Sequence, residues 1–353
     1  MQKLRAAALL TASALVLAGC SSTTGSDGAG GGDGAVRVTA STNIYGSLAE
    51  QIGGDRVEVT TIIDSATQDP HSYEATARDR LAVQDADLVV QNGGGYDAFI
   101  ESLTADSDAH VFTAAEFSHD FPGNAGHDGE HAEGEDADAQ DHAEEDETHD
   151  HEGEESHDHA EGEHEGEEGD DHEGHNHIEG FNEHVWFDPH TMIHVVEGLA
   201  EELGEIDPDG AADFTAAADE IIADLESAEA ELETIKTDAN GAGVFLTEPL
   251  PGYIAAAAGL TDLTPDGFAE AVEEGSDVAP ATLLDALEII DGGEVTVLLT
   301  NAQTGGAETD RVEKAAEAAG IPVVAFTELL EDGSSYSEWM HDAIKNLADA
   351  LDS

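Results

Sequence analysis

Cysteine is almost missing. Cys20 is the only one in 353 residues, which excludes an internal disulfide and any metal site built from several thiolates. Basic residues are scarce too. Ten Lys and Arg stand against 81 Asp and Glu, for a formal charge of −71. A molecule of that sign repels phosphate backbones, so no nucleic acid is expected as a partner. Past the first residues, no stretch approaches the roughly 18 apolar residues that a membrane crossing needs. What such a charge balance favours is cations.

What is present is concentrated in one tract. Between His119 and Glu179 the chain carries 26 acidic residues, 12 of its 18 histidines and no Lys or Arg. Subtracting those 26 negatives from −71 leaves −45 for the rest. A segment of His, Asp, Glu, Gly and Ala buries almost no apolar surface, so residues 119–177 are expected to form a disordered loop. Imidazole is the commonest protein ligand for zinc-like metals. We therefore expect His149, His151, His157, His159, His164, His172, His175 and His177 to act as an auxiliary collector of divalent ions. A purely solubilising linker would need the acids but not the histidines.

The chain begins Met1-Gln2-Lys3-Leu4-Arg5, then runs apolar from Ala6 to Leu17 with only Thr11 and Ser13 interrupting. That is the length of a signal-peptide core and too short for a stable membrane anchor. Leu17-Ala18-Gly19-Cys20 resembles the bacterial lipobox, which implies a signal peptide over 1–19 and lipidation of Cys20. Residues 20–35, Gly-rich toward their end, read as the lipidated Cys and a flexible tether. The expected location is the extracytoplasmic face of a cell membrane, held by lipid.

Outside these segments, alternating β-branched and amphipathic stretches set a repeated rhythm. Strands are expected at 36–40, 57–63, 87–91 and 110–112, and again at 243–247, 295–299 and 322–326. Helices are expected at 44–52, 78–84 and 96–103, and again at 253–258, 282–290, 310–319 and 337–351. This spacing predicts an α/β fold with parallel sheets flanked by helices. Residues 36–118 and 178–206 form one lobe and 240–353 the other. Between them, residues 207–239 carry Phe214, Ile221, Ile222, Leu225, Leu232 and Ile235 in an Ala/Glu-rich setting. Asp207 offers an N-cap and Pro208 a first helical position. The result is one long rigid helix joining the lobes, stiff enough that they should close little. Gly93-Gly94-Gly95 reads as a turn, since no Lys or capping Ser follows to hold phosphate.

Four segments offer metal ligands at strand ends or loop starts. They are Asp69-Pro70-His71-Ser72-Tyr73-Glu74, Asn182-Glu183-His184-Val185-Trp186-Phe187-Asp188-Pro189, Thr247-Glu248-Pro249 and Thr327-Glu328-Leu329. In open α/β sheets ligands bind beyond the carboxyl ends of strands, where Glu248 and Glu328 fall. Two imidazoles and two carboxylates make a four-ligand set. His190 and His194 are also spaced to share an ion, but the Glu of the metalloprotease motif is absent between them.

The two histidine segments resemble the paired His motifs of the zinc- and manganese-specific substrate-binding lipoproteins of bacterial ABC importers, the cluster A-I metal-binding family. So do Gly53-Gly54-Asp55-Arg56-Val57, Ala86-Asp87-Leu88-Val89-Val90-Gln91-Asn92-Gly93, Asn301-Ala302-Gln303-Thr304 and Gly320-Ile321-Pro322-Val323-Val324. The resemblance spans nearly the whole chain from Val36 to Leu351. It implies His71 and His184 as ligands from the first lobe, Glu248 five residues before Tyr253 as the third, and Glu328 where the family usually places an Asp. It also implies two lobes clamping the ion at their interface, a membrane permease as partner, and a monomer. Zinc is the expected cargo because of the histidine tract, with manganese the alternative. An ion held only by protein ligands is bound rather than used for catalysis, so no enzyme is expected. A metal-dependent hydrolase, or an extracellular metal buffer or adhesin without a transport role, are the readings from other classes.

Overall fold

The β-branched run Val36–Thr42 (β1) forms an inner strand of a parallel sheet. The computed structural model describes residues 34–65, 68–124, 178, 180–331 and 333–353. The leader, Cys20 and nearly all of the tether lie outside these residues. So do residues 125–177 of the acidic tract, with His149, His151, His157, His159, His164, His172, His175 and His177.

β1 is followed by α1 (Asn43–Gly53), β2 (Val57–Ile63), α2 (Ala77–Asp85), β3 (Leu88–Gln91), α3 (Phe99–Thr104) and β4 (His110–Thr113). The strands order β2-β1-β3-β4, all parallel. After the acidic tract come α4 (Pro189–Ile206) and α5 (Ala211–Ala239). The second half repeats the pattern: β5 (Gly243–Leu246), α6 (Gly252–Ala257), β6 (Thr261–Asp262), α7 (Phe268–Glu273), α8 (Pro280–Asp291), β7 (Val295–Asn301), α9 (Ala307–Ala319), β8 (Val323–Phe326) and α10 (Tyr336–Leu351). Its strands order β6-β5-β7-β8, again parallel. Each sheet therefore changes direction beside its first strand, and crevices open at such points beyond the strand ends.

Helix α5 buries Phe214, Ala218, Ile221, Leu225, Ala228, Leu232 and Ile235. Successive members lie alternately four and three residues apart, which keeps them on one face. Its 29 residues extend about 43 Å at 1.5 Å each. The face packs on α1 and α4 from the first half and on α6 and α10 from the second. One apolar cluster consequently runs from Val36 to Leu347 through both halves.

The start of this helix differs from the sequence expectation. Its N-cap is Gly210, and Asp207 instead closes α4. The reason is a tertiary contact: Arg56 Nη1 donates to the Asp207 carboxylate at 2.8 Å, and Arg56 Nη2 to the Asp209 carbonyl at 3.3 Å. With Asp207 committed to that pair, the chain turns before resuming as α5. Gly210 fits the turn because an added Cβ would stand 2.6 Å from Phe214 and 2.8 Å from Arg56.

Two further details depart from expectation. Helix α3 begins at Phe99 rather than 96, because residues 93–97 are taken up by a turn. Gly93, Gly94 and Gly95 all have positive φ, and the Asp97 carboxylate accepts the backbone N–H groups of Asn92 and Gly93 at 2.7 and 2.8 Å. The short elements β6 and α7 are additions that the apolar pattern did not announce.

Candidate metal centre

The loop after β2 turns on Asp69. Its carboxylate accepts the His71 backbone N–H at 2.9 Å and the Ser72 hydroxyl at 2.7 Å. Asp favours such turns by bonding to backbone just ahead of it. The turn directs the His71 ring inward, where its side chain is 5 % exposed and meets Tyr96 edge-on at 4.8 Å.

Asn182 performs the equivalent task for His184. Its Oδ1 accepts the His184 backbone N–H at 3.1 Å and lies 2.7 Å from His184 Nδ1, while its Nδ2 donates to the Pro249 carbonyl at 3.0 Å. Because the amide nitrogen is spent on a carbonyl, Oδ1 must be the acceptor. Nδ1 therefore carries the proton, and in the neutral ring Nε2 presents its lone pair. The two imidazole centroids are 5.9 Å apart, with Tyr96 against both.

The second half contributes acids. Glu248 follows β5 and Glu328 follows β8, and both are buried. Asn301, the last residue of β7, holds the pair together: its Nδ2 donates to Glu248 Oε2 and to Glu328 Oε1, each at 2.7 Å. The Thr304 hydroxyl donates to the other oxygen of Glu248. The Gln303 amide oxygen accepts the Glu328 backbone N–H at 2.5 Å. Tyr96 reaches from the first half to donate its hydroxyl to Glu328 Oε2 at 3.2 Å.

Two overlapping sets of ligand atoms result, each with every member within 4.8 Å of the others: His71, His184 and Glu273, and Asp69, His71 and Glu328. Of the four residues singled out from sequence, three thus meet around His71. Glu248 joins neither set and is linked to Glu328 through Asn301. Glu273, at the end of α7, is the newcomer. Asp69, Asn182 and Asn301 stand inside motifs already noted, beside the residues they position. Glu273 had no local signal, since one more Glu among so many acids says nothing.

Electrostatics set this region apart. Burial pushes Glu328 up to about 7, and the charges of Glu248 and Asp69 add to it against the Asn301 and Tyr96 hydrogen bonds. Burial also raises Glu248, opposed by Thr304 and Asn301. Glu273 is pushed furthest, to about 9, first by burial and then by Glu183, Glu248, Glu328 and Glu270. Among the described residues, no Lys or Arg figures among the leading causes of these shifts. Carboxylates gathered away from water without a basic partner stay ionised only if a cation joins them. His190 and His194 lie elsewhere on α4, the first exposed and the second half-buried, where they pair with Glu229 and Glu197 at 3.2 Å.

Comparison with known proteins bears on the family and the fold. The family model for ZnuA, described as zinc-uptake complex component A, periplasmic, matches residues 38–350. The manganese-binding lipoprotein MntA of Halalkalibacterium halodurans is 26% identical over 195 residues, covering 55% of this chain and 47% of that protein. The zinc-binding protein AdcA of Streptococcus pyogenes is 24% identical over 236 residues, covering 66% and 40% respectively. The chain thus spans less than half the length of these curated relatives. Among solved structures, the periplasmic zinc-binding protein TroA of Treponema pallidum superposes with a TM-score of 0.64 at 17% identity, covering 90% of this chain and 99% of that one. The two-sheet α/β fold is shared with it.

Proposed function

The chain belongs to the family of periplasmic zinc-uptake component A, and from that premise we propose that it is an extracytoplasmic solute-binding protein that captures zinc and delivers it to an ABC permease. The observation that carries the reading is the meeting of two imidazoles with several buried carboxylates, free of any basic partner, where the strand ends of both halves converge. Such a set attracts a divalent cation and offers nothing to a neutral or anionic solute.

In this reading His71, His184, Glu248 and Glu328 hold the ion. Asn182 supports the choice of His184 by fixing its tautomer, and Asn301 keeps both acids oriented, as outer partners of metal ligands do. The protein binds and releases its cargo without chemical change. It works as a monomer, tethered by lipid at Cys20 after removal of residues 1–19. The histidine tract over 119–177 gathers ions near the cleft, each imidazole weakly but many at high local concentration.

Zinc is the cargo because the histidine tract points to it, and the general affinity order places zinc above manganese for nitrogen and oxygen ligands alike. Manganese is the second reading, supported by the surplus of carboxylate oxygens around the two imidazoles. The test is metal analysis of protein purified without added metal, comparing the full chain with a form lacking residues 119–177. About one equivalent of zinc is expected in the shortened form and more in the full chain. The surplus should vanish near pH 5, because an imidazole of ordinary pKa, about 6.5, must be neutral to bind. Retention of manganese over zinc would reverse the cargo assignment, and absence of any metal would reject the reading.

A further inference from the structure

We propose that Glu273 is a further direct ligand of the captured ion, carried to His71 and His184 by the short helix α7. This rests on the reading of the cleft as a cation site, and adds a donor outside the four residues assigned above.

The argument starts from an unsatisfied atom. The Glu273 side chain is 9 % exposed. Its Oε1 is buried and has no hydrogen-bond partner. The other acids from this half differ: Glu248 is held by Asn301 and Thr304, and Glu328 by Asn301 and Tyr96. A buried carboxylate oxygen left without a donor is costly, and proteins rarely tolerate one without a use for it.

The direction in which Glu273 points identifies that use. Oε1 lies 3.5 Å from His184 Nε2 and shares the 4.8 Å cluster with the ligand atom of His71. Asn182 keeps the proton of His184 on Nδ1, so the neutral ring turns an acceptor toward the Glu273 carboxylate. Once the carboxyl ionises, two lone-pair bearers lie 3.5 Å apart, and a cation between them takes the place of the proton. Two imidazoles and one carboxylate form a recurrent metal-binding unit.

The placement of α7 is also informative. Gly267 and Gly275 flank the helix in left-handed conformations, with φ of 76° and 63°. Within the helix only Phe268 is buried, packed edge-on against Phe245 at 5.2 Å. Ala271 and Val272 pack half-buried on the same cluster, and Glu273 ends this six-residue element. Its contact with His184 joins the two halves, so an ion bound there also ties this segment down.

Zinc titration of the full chain by calorimetry, limited to the first equivalent, gives the test when run on wild type, Glu273→Gln, Glu273→Asp, His71→Ala and His184→Ala. Loss of a direct ligand should weaken the first ion at least as much as loss of an outer partner, which costs up to roughly 100-fold. Glu273→Gln is expected to show that loss, and Glu273→Asp a smaller one. In wild type, one equivalent of zinc should slow amide exchange across residues 268–274, and this protection should disappear in Glu273→Gln. The metal-free melting temperature of Glu273→Gln should change little, because the amide replaces a buried carboxyl that burial already keeps protonated without metal. Unchanged affinity and no added protection, with His71→Ala and His184→Ala both weakened, overturns the role of Glu273 and leaves metal capture standing. If wild type binds no zinc at its first equivalent and the histidine variants change nothing, the cleft reading fails and this inference with it.

Discussion

Glu328 shows how one residue couples the site to stability. Its folded value near 7 stands above the ordinary 4.5 because burial disfavours the charge. Between those values the folded chain holds a proton that the unfolded chain has released. Stability contributed by this group is therefore full below about 4.5 and falls as pH rises through 7. Glu273, pushed up further, extends the loss in the same direction. The metal-free protein should melt at a lower temperature at pH 8.5 than at pH 5.5. Glu328→Gln should flatten that slope, and saturating zinc should abolish it by making the ionised form the favoured one. Calorimetric melting with and without chelator checks this, and a metal-free melting temperature that rises with pH would contradict it. At this scale the sequence was informative wherever a proposed ligand stood beside its own positioning residue. Asp69 beside His71 and Asn182 beside His184 are neighbours in the chain, so the motif contains the geometry. Glu273 lies 89 residues from His184 by number, and only folding brings them together.

At the scale of elements, legibility followed length and periodicity. The α5 stripe repeats over 29 residues, and no strand pattern imitates that spacing. The parallel strands read clearly because buried β-branched runs such as Val295-Thr296-Val297-Leu298-Leu299 are bounded by turn residues. By contrast, α7 buries one side chain and β6 contains two residues, too few for any period to register. The Asp207 boundary failed for another reason. Cap chemistry was present, but Arg56 claimed the carboxylate from 151 positions away, and tertiary pairing outweighs local preference. The stripe itself makes a quantitative statement. Leu225 is fully buried at the middle of α5, within the cluster that joins both halves. Leu225→Ala should cost about 3 kcal/mol, the usual range for a buried Leu truncation. Urea unfolding would measure it, and both halves should unfold together at the lowered midpoint. Separate transitions would show that α5 does not couple them.

At the scale of the whole molecule, the proposed capture of an ion raises the matter of how far the halves move. Helix α5 is continuous and packs against elements of both. Short ties reinforce it on the cleft side. Asn43 exchanges two hydrogen bonds of 3.0 Å with the Leu330 backbone, the Tyr336 hydroxyl donates to the Trp186 carbonyl at 2.6 Å, and Phe187 stacks on Trp339 at 4.8 Å. A hinge needs a few residues free to change φ and ψ, and a long helix with a buried stripe supplies none along its length. Capture should therefore depend on small local adjustments, such as the settling of α7, and not on one half swinging over the other. Spin labels on Leu81→Cys and Leu284→Cys, both on exposed helix positions in opposite halves, with Cys20 replaced by Ser, would report the distance between them. We expect a change of less than about 2 Å on adding one equivalent of zinc, within the range of pre-organised binding. A larger closure would mean that α5 bends, and that the ion is held by a clamp that shuts instead of a cleft already formed.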